Sequence, residues 1–126
     1  MIKEDKFKAQ LRLKDADEYI QSAKENLEKQ RTKACLDHAI DAVIAANDAF
    51  TIFMIEEIAS TDHREAIALH KEAGKKISEN KSSDLALLLE ERHRKSYRPV
   101  TVTSQLAEID LNKAIKFVEW VRSKIK

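Results

Sequence analysis

The chain contains very few of the residues that interrupt helices. Gly74 is the only glycine and Pro99 the only proline among 126 residues. Such a scarcity of breakers excludes a turn-rich β fold and favours long helices joined by short connections. The sequence therefore predicts an all-α protein.

The chain also has a single cysteine and almost no net charge. Cys35 is the single cysteine, which excludes an internal disulfide and a multi-cysteine metal site, and a small buried thiol is expected there. Lysine and arginine total 23 against 22 aspartates and glutamates. The whole molecule then has almost no field with which to attract nucleic acid or an anionic membrane, so any electrostatic recognition must be local.

The first residues of the chain, Met1 to Lys6, are charged and do not resemble a signal peptide. No apolar run approaches the roughly 20 residues that cross a bilayer. We therefore expect a cytoplasmic protein with no membrane association.

Apolar residues recur at helical spacing along most of the chain. They predict one domain, residues 1–126, folded as a single up-and-down bundle of about five helices. The predicted helices cover about 5–29, 32–59, 62 to near Gly74, 82 or 83 into 92–98, and 103 or 104 to 125. The predicted N-caps of the last three are Asp62, Ser82 or Ser83, and Thr103 or Ser104.

Three of these helices have a definite predicted buried face. The second, with its wide and alanine-rich stripe, is expected to be central. The predicted buried residues are Phe7, Leu11, Ala16, Tyr19, Ile20, Ala23 and Leu27 in the first helix, Leu36, Ala39, Ile40, Val43, Ala46, Phe50, Phe53 and Met54 in the second, and Leu106, Ile109, Ala114, Phe117, Val118, Val121 and Ile125 in the last.

The segment from Arg92 to Arg98, here called the cationic cluster, is the strongest candidate for a functional site. It holds five basic or potentially basic side chains around one phenol: Arg92, His93, Arg94, Lys95, Tyr97 and Arg98. Pro99 forces the preceding helix to end within it. Arginines bind phosphates and a tyrosine ring stacks on a base, so the cluster predicts a nucleotide or RNA contact. The alternative is structural, because a helix C-terminus favours cations and Tyr97 can pack on the bundle.

Metal and cofactor sites are not predicted. Glu90 and His93 have the spacing of half a dimetal site, but no second pair of this kind occurs. His63 and His70 lie nearly two turns apart, too far to share one ion, and are interpreted as solvated. Asn47 and Asp48 lie on the apolar stripe of the second helix, where the cationic cluster could supply a polar partner. The alternative is that they lie at the bundle edge.

The order of these features resembles the HEPN domain family. The resemblance rests on the alanine-rich run from Ala39 to Phe50, the closing run from Ala107 to Val121, and the pair Arg92 and Tyr97. It extends from about Phe7 to Ile125. It implies a dimerising up-and-down bundle, frequently encoded beside a small nucleotidyltransferase as a toxin–antitoxin pair, and metal-independent ribonuclease activity in many members.

The family's ribonuclease motif is an arginine, a polar residue, and a histidine four to six positions after the arginine. Arg92 matches the arginine and His93 the polar residue, but Tyr97 stands where the histidine is expected. A phenol, with a pKa of about 10, is ionised in about one molecule in a thousand at neutral pH and is a poor general base. His93 could replace it only from a direction about 100° away from Arg92 on a helix.

Two hypotheses follow for the function. The first is a non-enzymatic homodimer that partners a nucleotidyltransferase, or binds its nucleic acid, through Arg92, Arg94, Lys95, Tyr97 and Arg98. Tyr97 would accept or dock the partner's nucleotide, since some paired family members are modified on a tyrosine in this region. The second is a metal-independent endoribonuclease with an atypical site formed by Arg92, His93 and Tyr97.

Overall fold

The computed structural model describes residues 1–60 and 62–126. Within them the chain forms five α-helices, and the predicted all-α bundle is confirmed. The helices are α1 (Ala9–Glu28), α2 (Thr32–Ile55), α3 (His63–Lys75), α4 (Ser82–Glu91) and α5 (Ser104–Lys124). A 3-10 turn at Lys6–Lys8 precedes α1, and a π-helical turn at Arg92–Ser96 follows α4.

α2 is the central helix, as its apolar stripe predicts, and it packs along both α1 and α5. Leu36, Ile40, Val43 and Phe50 are fully enclosed. Cys35 is a buried thiol, as expected, and desolvation raises its pKa. Small side chains allow the neighbouring helices to approach closely. The buried alanines of α2 are Ala39, Ala42, Ala45, Ala46 and Ala49.

By length and composition alone, α2 could cross a bilayer, because its mean hydropathy reaches 1.4 over 18 residues. The expectation from the sequence, that no apolar segment approaches the length needed to cross a bilayer, is therefore wrong. The apolar character has a cause within the fold, since most of this window is buried inside the bundle.

The buried face of α1 differs from the predicted one. Ala9, Ala16 and Ala23 recur every seven residues and are buried with Leu13. This spacing keeps small residues against the alanine-rich α2, and it turns the opposite side of the helix outward. Consequently Phe7 is 88% exposed and Leu11 65% exposed, although both were predicted to be buried.

The predicted stripe of α5 is also displaced at its beginning. Leu106 and Ile109 are 40% and 43% exposed, whereas Ala107 and Asp110 are buried. An ion pair between Lys95 and Asp110 accounts for this rotation, because it brings a carboxylate onto the inner face. The rest of the predicted stripe is buried as expected: Ala114, Phe117, Val118, Val121 and Ile125.

Two of the three predicted N-caps are confirmed. Asp62 Oδ1 accepts a hydrogen bond at 2.8 Å from the backbone N–H two residues later, and Thr103 Oγ1 accepts one at 3.1 Å from the N–H three residues later. The predicted cap of α4 by Ser82 or Ser83 is wrong. Asn80 Oδ1 accepts the N–H of Ser82 at 3.0 Å instead, because its side chain folds back over the turn.

α2 ends at Ile55 rather than near residue 59. Glu56 has a left-handed backbone with a φ of 54°, which terminates the helix. The next residues form β2 (Glu57–Ile58), antiparallel to β1 (Ile2–Lys3). Strands of two residues have no detectable periodicity, so the sequence did not indicate this ribbon.

Gly74 lies in the last turn of α3, close to the predicted end of that helix. A Cβ at this position would lie 2.5 Å from the carbonyl oxygen of Glu79 and 2.7 Å from Cβ of Asn80. The chain returns past α3 at this point, and only a residue without a side chain permits the approach.

Candidate functional site

The cationic cluster lies at the end of α4, as predicted. The helix widens into the π-helical turn Arg92–Ser96 and stops before Pro99. Proline disfavours helical geometry at the preceding residue, which explains why the helix cannot continue. The turn places Arg92 and Lys95 toward the bundle and the other basic side chains of the cluster toward solvent. π-helical turns occur frequently at functional sites.

Arg92 connects the π-helical turn to α2 through hydrogen bonds and ion pairs. Its Nη2 donates to the backbone carbonyl of Asp37 at 2.5 Å and to Oδ1 of Asp41 at 2.6 Å. Oδ1 of Asp37 lies 3.9 Å from Arg92 Nε, and Ser96 Oγ donates to the same carboxylate. The Arg92 side chain is only 13% exposed, so its charge is neutralised within the fold.

Lys95 fastens the other side of the turn to α4 and α5. Its Nζ lies 3.1 Å from Oδ2 of Asp110 and also pairs with Glu91. Burial raises the pKa of Asp110, although the hydrogen bond from Lys95 opposes this. Desolvation acts in the same direction on Glu91, but the hydrogen bonds with Lys95 and Asp110 and the charges of Lys95 and Arg94 together lower the pKa of that carboxyl. Lys95 therefore has its charge engaged by two carboxylates.

The remaining four side chains of the cluster point outward: His93, Arg94, Tyr97 and Arg98, here called the exposed half. Tyr97 is 70% exposed. Arg94 makes one contact at 3.5 Å with Glu91, and the carbonyl of Arg98 accepts a 2.7 Å hydrogen bond from Lys33 Nζ. The π-helical turn thus separates two anchoring cations from two arginines and a phenol that are open to solvent.

Asn47 and Asp48 do not join the cationic cluster. Oδ1 of Asn47 lies 2.8 Å from Nδ1 of His70, and Arg12 Nε lies 3.1 Å from Oδ2 of Asp48. Burial raises the pKa of Asp48, and the charge of Arg12 opposes it. Both residues therefore stabilise the bundle through partners on other helices, α3 for Asn47 and α1 for Asp48.

His70 is fully buried, which corrects the interpretation of this histidine as solvated. Its Nε2 accepts the backbone N–H of Lys81 at 2.8 Å, so Nδ1 carries the hydrogen that faces Asn47. Desolvation lowers its pKa from 6.5 to about 4. His70 is thus a neutral core residue that joins α2, α3 and the loop before α4, whereas His63 is exposed, as expected.

The sequence reasoning missed the carboxylates that neutralise the cluster. They are Asp37 and Asp41 on α2, Glu91 at the end of α4, and the buried Asp110 on α5. One signal was available, because Asp37 and Asp41 lie four residues apart on one helix face. Within residues 1–60 and 62–126, no group of three or more His, Cys, Asp or Glu side chains is arranged to hold a metal ion.

Comparison with known proteins identifies the family. The model of the HEPN domain matches residues 9–124, a span that runs from the first residue of α1 to the last residue of α5. No curated protein sequence matches the chain significantly. The family match includes the cationic cluster and covers nearly the whole chain, so the protein belongs to the HEPN domain family.

Proposed function

We propose that this HEPN-family protein is a non-catalytic partner of a small nucleotidyltransferase, of the toxin–antitoxin type, and that it binds nucleotide or RNA through the exposed half of the cationic cluster. The observation that carries the proposal is Tyr97. It replaces the histidine of the family's ribonuclease motif, and it is open to solvent between Arg94 and Arg98.

The chemistry of the exposed half suits binding better than cleavage. Metal-free cleavage of RNA needs a base for the 2′-hydroxyl, and a neutral phenol is a poor one. In contrast, Arg94 and Arg98 can each offer a planar fork of N–H donors to phosphate oxygens, and the ring of Tyr97 can stack on a base. Arg92 and Lys95, which the sequence also placed among the phosphate ligands, are engaged by carboxylates and act as positioning residues.

The proposal includes modification of Tyr97 by the partner. In that step the phenol oxygen attacks the α-phosphorus of ATP and forms an O–P bond. The bond to the β-phosphate oxygen breaks, pyrophosphate leaves, and the phenol proton passes to a base on the partner. The exposed guanidiniums of Arg94 and Arg98 would neutralise the incoming polyphosphate.

A homodimer is also part of the proposal. The apolar face of α2 is used inside the bundle. The exposed Phe7 and Leu11 lie about one turn apart and offer apolar area for a symmetric contact. Sedimentation at tens of micromolar should show the dimer, and a monomer at that concentration, chosen as the order of magnitude of weak interfaces, would remove this part of the proposal.

The second candidate function is a metal-independent endoribonuclease with an atypical site. One observation favours it. His93 is exposed and directly follows Arg92, so an imidazole is available within the motif.

The test of the proposed function uses the product of the gene adjacent to that of this chain, which the proposal expects to be a small nucleotidyltransferase. Co-purification should recover both proteins, and incubation with ATP and magnesium should increase the mass of this chain by one or more adenylyl groups. Tyr97→Phe should remove the mass shift. Tyr19→Phe is the matched control, since Tyr19 is the only other tyrosine. An unshifted wild type, or an equal shift in Tyr97→Phe, contradicts the role of Tyr97.

A further inference from the structure

A groove of about 640 Å³ lies between α4 and α5, beside the π-helical turn but outside the exposed half of the cluster. Its walls are apolar. Leu87, Leu106 and Ile109 line it with 65%, 40% and 43% of their surfaces exposed. Large aliphatic side chains left open to water along one concave surface mark a site for a partner rather than an ordinary solvated face.

The rim of this groove is positively charged. Lys113 and Lys116 line it and are exposed, and Lys81 lies at one end. In the part of the chain that the structure describes, no carboxylate forms an ion pair with these three lysines. Asp84 is the one lining acid not already engaged by Lys95, so the charge available to an occupant is positive.

The lining residues follow one helix face, which sets the shape of the occupant. On α5 they recur at intervals of three and four residues: Leu106, Ile109, Asp110, Lys113, Lys116, Phe117 and Trp120. Leu106 and Trp120 are separated by 14 positions, which is about 21 Å of helix at 1.5 Å per residue. A groove of that length matches about four turns of a docked helix.

The floor of the groove needs no further partner. Lys95 pairs there with Glu91 and Asp110, and Arg94 also contacts Glu91, so two cations balance two carboxylates. The occupant would therefore meet apolar walls and, at the rim, lysines that have no ion-pair partner among the described residues. The same lysine anchors the π-helical turn, and a helix in the groove would lie next to the cationic cluster.

We propose that the groove between α4 and α5 binds an acidic amphipathic helix of a partner protein. Its apolar residues, spaced three and four apart, would contact Leu87, Leu106 and Ile109, and its carboxylates would face Lys113 and Lys116. This is helix-in-groove recognition, in which buried apolar side chains provide affinity and the charged rim selects the partner.

The test uses Trp120, the only tryptophan, which lines the groove and reports on its occupancy by fluorescence. The probes are an amphipathic peptide of about four turns with leucines at helical spacing and glutamates elsewhere, and a second peptide with lysine in place of each glutamate. The acidic peptide should change the fluorescence of the full chain saturably, and the basic peptide should bind at least about tenfold more weakly.

Matched variants separate the groove from the rest of the surface. Leu87→Asp should weaken the acidic peptide by about tenfold or more, while Tyr19→Asp, at an exposed apolar position of α1, should not. Lys113→Glu with Lys116→Glu should reverse the preference and bind the basic peptide more tightly. The control for that pair is Lys14→Glu with Lys24→Glu, exposed lysines of α1.

Three results would overturn the proposal. One is equal binding of both peptides to the wild type. Another is a homodimer that Leu87→Asp dissociates and Leu11→Asp leaves intact, because the groove would then be covered by a second copy of this chain. The third is saturable binding of dodecanoate, an apolar chain with one carboxylate, more tightly than the acidic peptide. None of these readouts depends on modification of Tyr97, so the proposal and the proposed function can fail separately.

Discussion

Arg92 Nη2 lies 2.6 Å from Oδ1 of Asp41, so the arginine that heads the family's ribonuclease motif is neutralised by a carboxylate of its own fold. The same nitrogen also donates to the carbonyl of Asp37 at 2.5 Å. A guanidinium held in this way positions the π-helical turn on α2. In the proposed function, charge recognition is left to Arg94 and Arg98, which face solvent.

Because Arg92 is anchored and Arg94 faces solvent, we expect alanine substitutions of the two arginines to change the free energy of unfolding by different amounts. Arg92→Ala should lower the free energy of unfolding by about 1 to 3 kcal/mol, because it leaves a half-buried carboxylate and a carbonyl without their donor. Arg94→Ala should change it by less than about 0.5 kcal/mol, as expected for an exposed side chain. Urea denaturation followed by circular dichroism measures both values.

Arg64→Ala serves as the control for that measurement, since the Arg64 side chain is 93% exposed and its ion pair within the described residues is a 3.8 Å contact with the cap residue Asp62. Equal loss of stability in Arg92→Ala and Arg94→Ala would show that the two arginines are not divided into an anchor and a recognition group.

The buried His70 predicts a pH dependence of stability. Its pKa is about 4 in the fold and 6.5 in the unfolded chain, so the unfolded state binds the proton more tightly. The contribution of neutral His70 is fully present above pH 6.5 and is lost as the pH falls toward 4. At low pH the loss is about 3 kcal/mol by linkage.

Carboxylates titrate over part of the same range, so the measurement is a difference between variants. His70→Gln should show a smaller loss of unfolding free energy than the wild type between pH 6.5 and 4. His63→Gln, which changes an exposed histidine, should follow the wild type. Identical pH profiles for the wild type and His70→Gln would contradict a buried neutral imidazole.

Gly74 predicts a destabilising alanine substitution inside a helix. Alanine has the higher helix propensity by about 1 kcal/mol, yet its Cβ would lie 2.5 Å from the carbonyl oxygen of Glu79. We expect Gly74→Ala to cost about 1 to 3 kcal/mol through displacement of the chain after α3. A thermal melt measures the change, and an increase in Tm would show that the backbone of Glu79 yields easily.

Tyr97 predicts the absence of ribonuclease activity. The wild type should not cleave single-stranded RNA in the presence of a chelator, because its motif lacks the histidine. Tyr97→His should gain weak cleavage that Arg92→Ala removes when combined with it. Cleavage by the wild type that Arg92→Ala abolishes would contradict the non-catalytic proposal and favour the atypical ribonuclease.

The fold could be predicted from the sequence because its signals are local. The scarcity of breakers, the stripe of α2 and the caps Asp62 and Thr103 each depend on a few neighbouring residues. The faces of α1 could not be predicted in the same way. Leu11 and Leu13 are equally apolar, and only close packing against the alanines of α2 decides which of them is buried.

The sequence predicted which segment forms the candidate site, but not which of its side chains are anchored to the bundle. Pro99 placed the end of the helix within the cluster, and that is where the structure has it. The anchors of Arg92 and Lys95 depend on aspartates from α2 and α5, which are distant in sequence. Asn47 and His70 were missed as a pair for the same reason, since their contact joins two helices.

The most direct test of the account measures RNA binding by the exposed half of the cluster. Fluorescence polarisation of a labelled single-stranded RNA should show binding that weakens with salt. The double variant Arg94→Ala with Arg98→Ala should weaken it by at least about tenfold, the effect of two lost phosphate contacts. The matched control, Arg31→Ala with Arg64→Ala, should bind as the wild type does. Equal affinities for the two double variants, or no RNA binding by the wild type, would contradict recognition through the cationic cluster.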